Sequence, residues 1–274
     1  MYESFYGLTE KPFSIQPDPE FLYFGKRHTL AYSMLEYAIE SQAAFCVVTG
    51  EIGCGKTTLI RHLLNHLPDS LSVGLVAGPH RETAGVLEWA SLALGLPYEG
   101  LSGLALYDAF QRFLIKQYGG GRRVLLIIDE AQSLTPEDLE VLRMLSNINA
   151  DKDQLLQIVL VGQTQFRAML QRPELQQFAQ RIAVHFHIPP LEQAEVETYI
   201  RYRLAIAGKD EPLFSPEACQ RIADASRGIP RGINILCDTA LVYGFSGELA
   251  WIDAAIVEDV IRDKAQYGVF TVSA

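Results

Sequence analysis

Cysteine is scarce in this 274-residue sequence, and the four thiols present (Cys46, Cys54, Cys219, Cys237) fall at long, irregular spacings. That excludes a disulfide framework and a spaced zinc site, and predicts reduced thiols in a cytoplasmic protein. Long hydrophobic runs are missing too. Apolar stretches such as Val124–Ile128 and Ile158–Val161 are strand-length, far below the roughly 20 residues a bilayer requires, so no membrane span is expected. The opening Met1-Tyr2-Glu3-Ser4 lacks the basic and apolar regions of a signal peptide. Basic residues are outnumbered 23 to 33, for a net charge of −10, with no basic stripe. That argues against a main task of coating nucleic acid, which needs clustered Lys and Arg.

What is present is a globular composition. Charged residues make up 20% and apolar residues 49% of the chain, too apolar for a disordered segment, and the length fits roughly two domains at about 150 residues each. Residues 1–27 are rich in aromatics and turn formers (Phe5, Tyr6, Pro12, Phe13, Pro17, Pro19, Phe21, Tyr23, Phe24). They predict an irregular segment packed on the body of the first domain. Thr29–Gln42 has the spacing of an amphipathic helix. Five apolar runs follow, Ala44–Thr49, Ser72–Ala77, Val124–Asp129, Gln157–Val161 and Ala183–Ile188, separated by helical stretches. Strands apolar throughout and alternating with helices predict a mainly parallel sheet covered on both faces. Thr135-Pro136-Glu137-Asp138 marks a helix start by its capping hydroxyl, its proline at the first helical position and the acid three residues after the cap. After Pro189-Pro190 the strand signal fades, and Glu192–Ala207, Ser215–Ser226, Arg231–Tyr243 and Asp253–Lys264 read as helices. The expected organisation is therefore an α/β domain over 1–190, a helical domain over 191–266 and a tail over 267–274.

The chemistry starts at Gly50-Glu51-Ile52-Gly53-Cys54-Gly55-Lys56-Thr57, which matches G-x-x-x-x-G-K-[ST] between an apolar strand and a helix, with Thr58 next in the helix. Glycines let backbone N–H groups turn inward around phosphate oxygens, and the helix N-terminus adds its dipole. Lys56 is placed to reach the β- and γ-phosphates, and the Thr57 hydroxyl to ligate Mg²⁺. Cys54 reads as a small filler. Downstream, a buried strand ends in Asp129-Glu130, a costly pairing unless the acids have work to do. Asp129 is the candidate to hold Mg²⁺, and Glu130 to orient and deprotonate water. The next strand ends in Gly162-Gln163-Thr164, which makes the Gln163 amide a candidate contact for the γ-phosphate or the water. Arg172 and Arg181 are alternative arginines for a neighbouring subunit, Arg181 being favoured by its place just before the fifth strand. Gly228-Ile229-Pro230-Arg231 is a turn opening a helix that delivers Arg231 toward the phosphates.

In this order the elements resemble an AAA+ ATPase, where they are Walker A, Walker B, sensor 1, arginine finger and sensor 2. The resemblance implies a P-loop α/β fold with five parallel strands in the order 5-1-4-3-2, helices on both faces and a C-terminal helical lid. The opening Met1–Leu8, Lys11-Pro12-Phe13, Pro17-Asp18-Pro19-Glu20-Phe21, His28, Asp129-Glu130-Ala131-Gln132, Pro189-Pro190-Leu191 and Tyr199–Leu204 are similar to the ExeA-type ATPases. That family includes the general secretion pathway A protein of type II secretion and the ATPases of pilus and exopolysaccharide loci. Tyr23, Phe24 and His28 then become candidates for the adenine pocket, with simple core aromatics as the alternative. General secretion A proteins continue into a membrane span and a peptidoglycan-binding region, neither of which appears in this sequence.

The resemblance implies ATP and Mg²⁺ as ligands and ATP hydrolysis as the reaction. It also implies a homo-oligomer with the arginine finger acting in trans. Partners are expected among secretion, pilus or exopolysaccharide assembly proteins at the inner membrane. Location is expected to be cytoplasmic, either free, peripheral at that membrane or as the cytoplasmic part of a membrane-anchored protein. The competing expectation is a DNA-dependent AAA+ regulator of the transposition or replication-loader type, against which the acidic balance weighs.

Overall fold

The computed structural model describes residues 1–79, 83–150 and 153–267. Strands in chain order are β1 (Phe45–Gly50), β2 (Leu71–Ala77), β3 (Arg123–Asp129), the two-residue β4 (Asn149–Ala150) and β5 (Asp153–Gln154), β6 (Leu156–Gly162) and β7 (Ile182–Ile188). The helices are α1 (Glu3–Tyr6), α2 (Lys26–Glu40), α3 (Lys56–Leu64), α4 (Val86–Ala93), α5 (Gly103–Gly119), α6 (Pro136–Leu145), α7 (Thr164–Leu170), α8 (Gln176–Ala179), α9 (Gln193–Ile206), α10 (Pro216–Ser226), α11 (Pro230–Ser246) and α12 (Ala254–Tyr267). Beyond Tyr267, the predicted tail lies outside the described residues.

The chain divides into two compact units: residues 30–50 with 63–188, and residues 1–29 with 51–62 and the chain from Pro189 onward. The first unit holds the main sheet, ordered β2-β3-β6-β1-β7 and wholly parallel. With the small β4–β5 hairpin set aside, this is the expected 5-1-4-3-2 order read from the other edge. Inner strands β1, β3 and β6 are buried almost residue for residue, whereas edge strands β2 and β7 are only partly buried. Continuous apolar runs belong where both faces of a parallel sheet are covered. Phe45, Phe110, Leu126, Leu142, Ile158, Phe166 and Phe178 share its core. The expected capping signal at α6 forms in full: Thr135 Oγ1 accepts from the Asp138 N–H at 3.2 Å, and the Asp138 carboxylate accepts from the Thr135 N–H at 2.9 Å. Register sets Ala77 beside Asp129 and Thr49 beside Gly162. The C-terminal ends of β1, β3 and β6 therefore share one sheet edge, where parallel α/β sheets carry their ligands.

In the second unit the aromatic N-terminal segment departs from expectation. Tyr2, Tyr6, Leu8 and Phe13 are buried in one core with Val196, Ile200, Leu204, Ile222, Leu236 and Val257 of helices α9–α12, rather than on the α/β body. The rings of Tyr2, Tyr6 and Phe13 add to the apolar surface that the four helices bury. Arg203, 6% exposed, fastens the segment: it donates to the carbonyls of Pro12 (2.7 Å) and Ser14 (3.4 Å) and lies over the Phe21 ring. Gly228 is required by its surroundings. Its φ is +71°, and a Cβ there would stand 2.0 Å from the Leu191 carbonyl oxygen.

Candidate nucleotide site

The chain leaves β1 at Gly50 and enters α3 at Lys56 through five loop residues. Gly53 and Gly55 have φ of +85° and +86°, the left-handed conformation that turns successive N–H groups inward and that side chains resist. Lys56 is 7% exposed, and its Nζ donates to the Glu51 carbonyl at 2.8 Å, folding the ammonium over the loop. Thr57 and Thr58 lie half-buried in the first turn of α3, while Glu51 and Ile52 are exposed. Cys54 is fully buried, and burial pushes its thiol up to about 11. A thiol held protonated is a poor nucleophile, in keeping with the filler role expected of it.

Two residues distant in sequence close on this loop. His28 is 4% exposed, and its Nε2 lies 2.8 Å from the Cys54 carbonyl oxygen; a Cβ on Gly55 would meet the same nitrogen at 3.4 Å. Burial holds the imidazole below its ordinary value, opposed by the bond to Cys54. A carbonyl partner requires the proton on Nε2, so Nδ1 carries the lone pair, which has no hydrogen-bond partner among the described residues. From the start of α11, the Arg231 N–H donates to the Gly53 carbonyl at 3.2 Å. A Cβ on Gly53 would stand 2.5 Å from the Arg231 Cβ. The turn Gly228–Arg231 thus sets the arginine's backbone directly on the phosphate-loop glycine.

The acidic elements lie at the sheet edge in the other unit. Asp129, 6% exposed, ends β3, and its Oδ1 accepts from the Glu130 N–H at 2.9 Å. Glu130 has φ +56°, a left-handed conformation costing a non-glycine residue about 1–2 kcal/mol. Its Oε2 accepts from Gln163 Nε2 at 3.0 Å and from Gln132 Nε2. Gln163 caps α7 with extended backbone, and its N–H donates to Gln132 Oε1 at 3.0 Å. Sequence reasoning named Glu130 and Gln163 but treated Gln132 only as part of a family box. Its signal was chemical: a primary amide donates and accepts at once, two residues from a carboxylate.

The remaining candidates have local partners of their own. Tyr23 packs edge-on against Tyr199 and Tyr202, with ring centroids 5.7 and 5.4 Å away, and Phe24 packs edge-on against His62. Arg181 donates to Ser146 Oγ at 3.1 Å; Arg172 is 56% exposed, with a loose 3.7 Å ion pair to Glu174.

A family model described as "AAA domain" matches residues 39–170. Over 247 residues the chain is 41% identical to general secretion pathway protein A of Aeromonas hydrophila, a match that covers 90% of this chain and 45% of that relative. The chain therefore spans under half the length of that protein. In fold it is similar to Cdc6p from Pyrobaculum aerophilum (TM-score 0.71, 18% identity, 93% of this chain and 72% of that one). It is similar also to the Aeropyrum pernix ORC1 protein in complex with DNA (TM-score 0.64, 19% identity, 93% and 71%). At these identities the likeness concerns fold alone. Sheet order, phosphate loop and paired acids together define a P-loop protein of the AAA+ class. Within that class, the chain belongs to the ExeA-type AAA+ ATPase family, that of general secretion pathway protein A. Among the described residues no helix is long and apolar enough to cross a membrane.

Proposed function

We propose that the chain binds ATP with Mg²⁺ and hydrolyses it to ADP and phosphate. Coupled to conformational change in a homo-oligomer, the cycle would assist secretion or assembly of envelope components in a type II secretion, pilus or exopolysaccharide system. The observation that carries this reading is the Glu130 carboxylate, held by the Gln163 amide beside Asp129 at the end of a buried strand, in a chain with a complete phosphate loop. The loop's inward N–H groups and Lys56 suit the phosphates, and Arg231 adds charge. The Thr57 hydroxyl and Asp129 carboxylate are the hard oxygen donors that Mg²⁺ takes; when bound, the ion neutralises charge on the phosphate oxygens. Glu130 accepts a proton from a water whose oxygen bonds to the γ-phosphorus. The bond from that phosphorus to the bridging oxygen breaks, its electron pair leaves on ADP, and the proton passes on to the released phosphate. Arg181 or Arg172 of a neighbouring copy would complete the charge balance. Tyr23, Phe24 and His28 are assigned to the base side of the nucleotide. The domain assignment is a nucleotide-binding body up to residue 190 and a lid over 191–266, with residues 1–27 joined to the helical part, in a protein that is cytoplasmic, peripheral at the inner membrane or the cytoplasmic part of a membrane-anchored one.

Phosphate release from ATP, with and without EDTA, tests the reading; wild-type release equal to that of Glu130→Gln overturns it. A second reading, a DNA-dependent AAA+ regulator, draws on the fold shared with the DNA-bound ORC1 protein. It requires duplex DNA to stimulate release, with affinity falling steeply as salt rises. The surplus of 33 acidic over 23 basic residues weighs against it.

A further inference from the structure

Glu130, Gln132 and Gln163 form a closed ring of three hydrogen bonds. Gln132 Nε2 and Gln163 Nε2 both donate to Glu130 Oε2, and the Gln163 N–H donates to Gln132 Oε1. Only a side chain that donates and accepts together can occupy the middle of this ring, and its length must span from the turn after β3 to the end of β6. Glutamate would lack the donor and set a second negative charge against Glu130. Asparagine is one methylene short, and methionine matches the length without either function. The Glu130 backbone is already committed to a left-handed conformation, so the direction of its carboxylate rests on the two amides.

We propose that Gln132 is a positioning residue for the hydrolytic step, tying the carboxylate of Glu130 to the main chain at Gln163. Gln132 touches no substrate. It fixes Oε2, which leaves Oε1 to meet the water, and any shift of the Gln163 backbone at the end of β6 is carried to the base through its side chain. The sensor strand thus reaches Glu130 by two routes, the Gln163 side chain and the Gln132 amide. The inference rests on the hydrolysis reading above.

The test is steady-state hydrolysis with ADP titration on Gln132→Met and Gln132→Glu, alone and in the Glu130→Gln background. Gln132 is half-buried on a short turn, and melting curves of both variants verify folding. Misplacing a reacting group costs about 10- to 100-fold, so kcat is expected to fall by about that factor in both variants. KM and the ADP Kd are expected to stay within about twofold, the scatter of non-interacting sites. Gln132→Glu keeps an acceptor for the Gln163 N–H while it turns the link to Glu130 into a like-charge contact, and Gln132→Met removes the link without adding charge, so a loss common to both variants reports the missing amide. In the Glu130→Gln background, neither substitution is expected to lower the residual rate further. A merely structural role would instead lower kcat, affinity and melting temperature together in every background. Near wild-type kcat in both variants, or a further fall without Glu130, overturns the assignment. If wild-type protein itself releases no more phosphate than Glu130→Gln, the hydrolysis reading fails and takes this one with it; if wild type turns over and the Gln132 variants match it, only this assignment fails.

Discussion

His28 Nε2 lies 2.8 Å from the Cys54 carbonyl oxygen, inside the turn that carries Gly53 and Gly55. A side chain from the start of α2 therefore braces the loop at its most buried residue. His28→Ala leaves that carbonyl without its donor and opens space beside Gly55. A buried group left unsatisfied costs about 1–3 kcal/mol, so the Kd for ADP is expected to rise about tenfold, and His28→Gln should recover part of the loss. Fluorescent ADP titration checks this; unchanged affinity in His28→Ala would show that the loop holds its shape unaided.

The same contact predicts a pH dependence. Burial holds the folded His28 below its ordinary value of 6.5, with the Cys54 bond opposing, and among the described residues no acceptor faces Nδ1 to receive a second proton's hydrogen bond. Because the folded value is the lower one, the contribution to stability is complete above pH 6.5 and is lost as pH falls through the folded value. The melting temperature of wild type should fall below that pH more steeply than that of His28→Gln. His185, also held low by burial, is common to both proteins and cancels. Parallel curves from about pH 8 to about pH 5, a window spanning the histidine range, would dismiss the idea.

Much of this was legible in the sequence, for identifiable reasons. Strands β1, β3 and β6 are apolar at every position because both faces are covered, so their ends were readable to within a residue, and the Thr135–Asp138 box marked α6 by local chemistry alone. The phosphate loop and Asp129-Glu130 announce themselves because few backbones tolerate those residues without a ligand to serve. The home of residues 1–27 was not legible, because aromatic rings give no address; Arg203 and the helical core provide it across nearly two hundred residues of sequence. His28 reads in the sequence as an adenine-pocket candidate and Gln132 only as part of a family pattern, because the backbone groups they bond, the Cys54 carbonyl and the Gln163 N–H, are far away in sequence.

Lys56 and Glu130 should separate binding from turnover. Lys56→Ala removes the ammonium that lies over the loop, and ADP should then fail to raise the melting temperature. In wild type a ligand at about 100 times its Kd contributes about 2.7 kcal/mol. Glu130→Gln keeps the amide contacts but cannot accept a proton, so it should still show that ligand shift while kcat falls by about 10²–10⁴. Identical behaviour of the two variants in both assays would contradict the separate roles.

Arg181 and Arg172 make different offers as a finger acting in trans. Arg181 is tethered to Ser146 Oγ by one 3.1 Å bond, in a position to be released or aimed; Arg172 is exposed and loosely paired. Specific activity of wild type should rise with protein concentration, since the finger must come from another copy. Arg181→Ala should flatten that rise, with a loss of up to about 10³-fold at saturation, while Arg172→Ala keeps it. The reverse pattern transfers the role to Arg172. Activity independent of concentration in all three proteins removes the finger from the mechanism.

Arg203 is a buried cation held, among the described residues, by neutral groups: the carbonyls of Pro12 and Ser14, the Tyr199 hydroxyl at 3.3 Å and the faces of Phe21 and Tyr199. Its planar fork addresses two carbonyls of the N-terminal segment at once, which the point charge of lysine cannot reproduce. Ser14 retains a second donor, Asn234 Nδ2 at 3.2 Å, whereas among the described residues Arg203 alone donates to the Pro12 carbonyl. Arg203→Met keeps the apolar bulk and leaves Pro12 unsatisfied, and is expected to destabilise by about 1–3 kcal/mol. The loss should concentrate in the segment, so limited proteolysis should cleave within residues 1–25 before the rest of the chain in the variant and not in wild type. Arg203→Lys should fall on the same side, closer to Met than to wild type. If both variants unfold at the wild-type urea midpoint and resist the protease equally, the rings of Tyr2, Tyr6 and Phe13 hold the segment without the arginine.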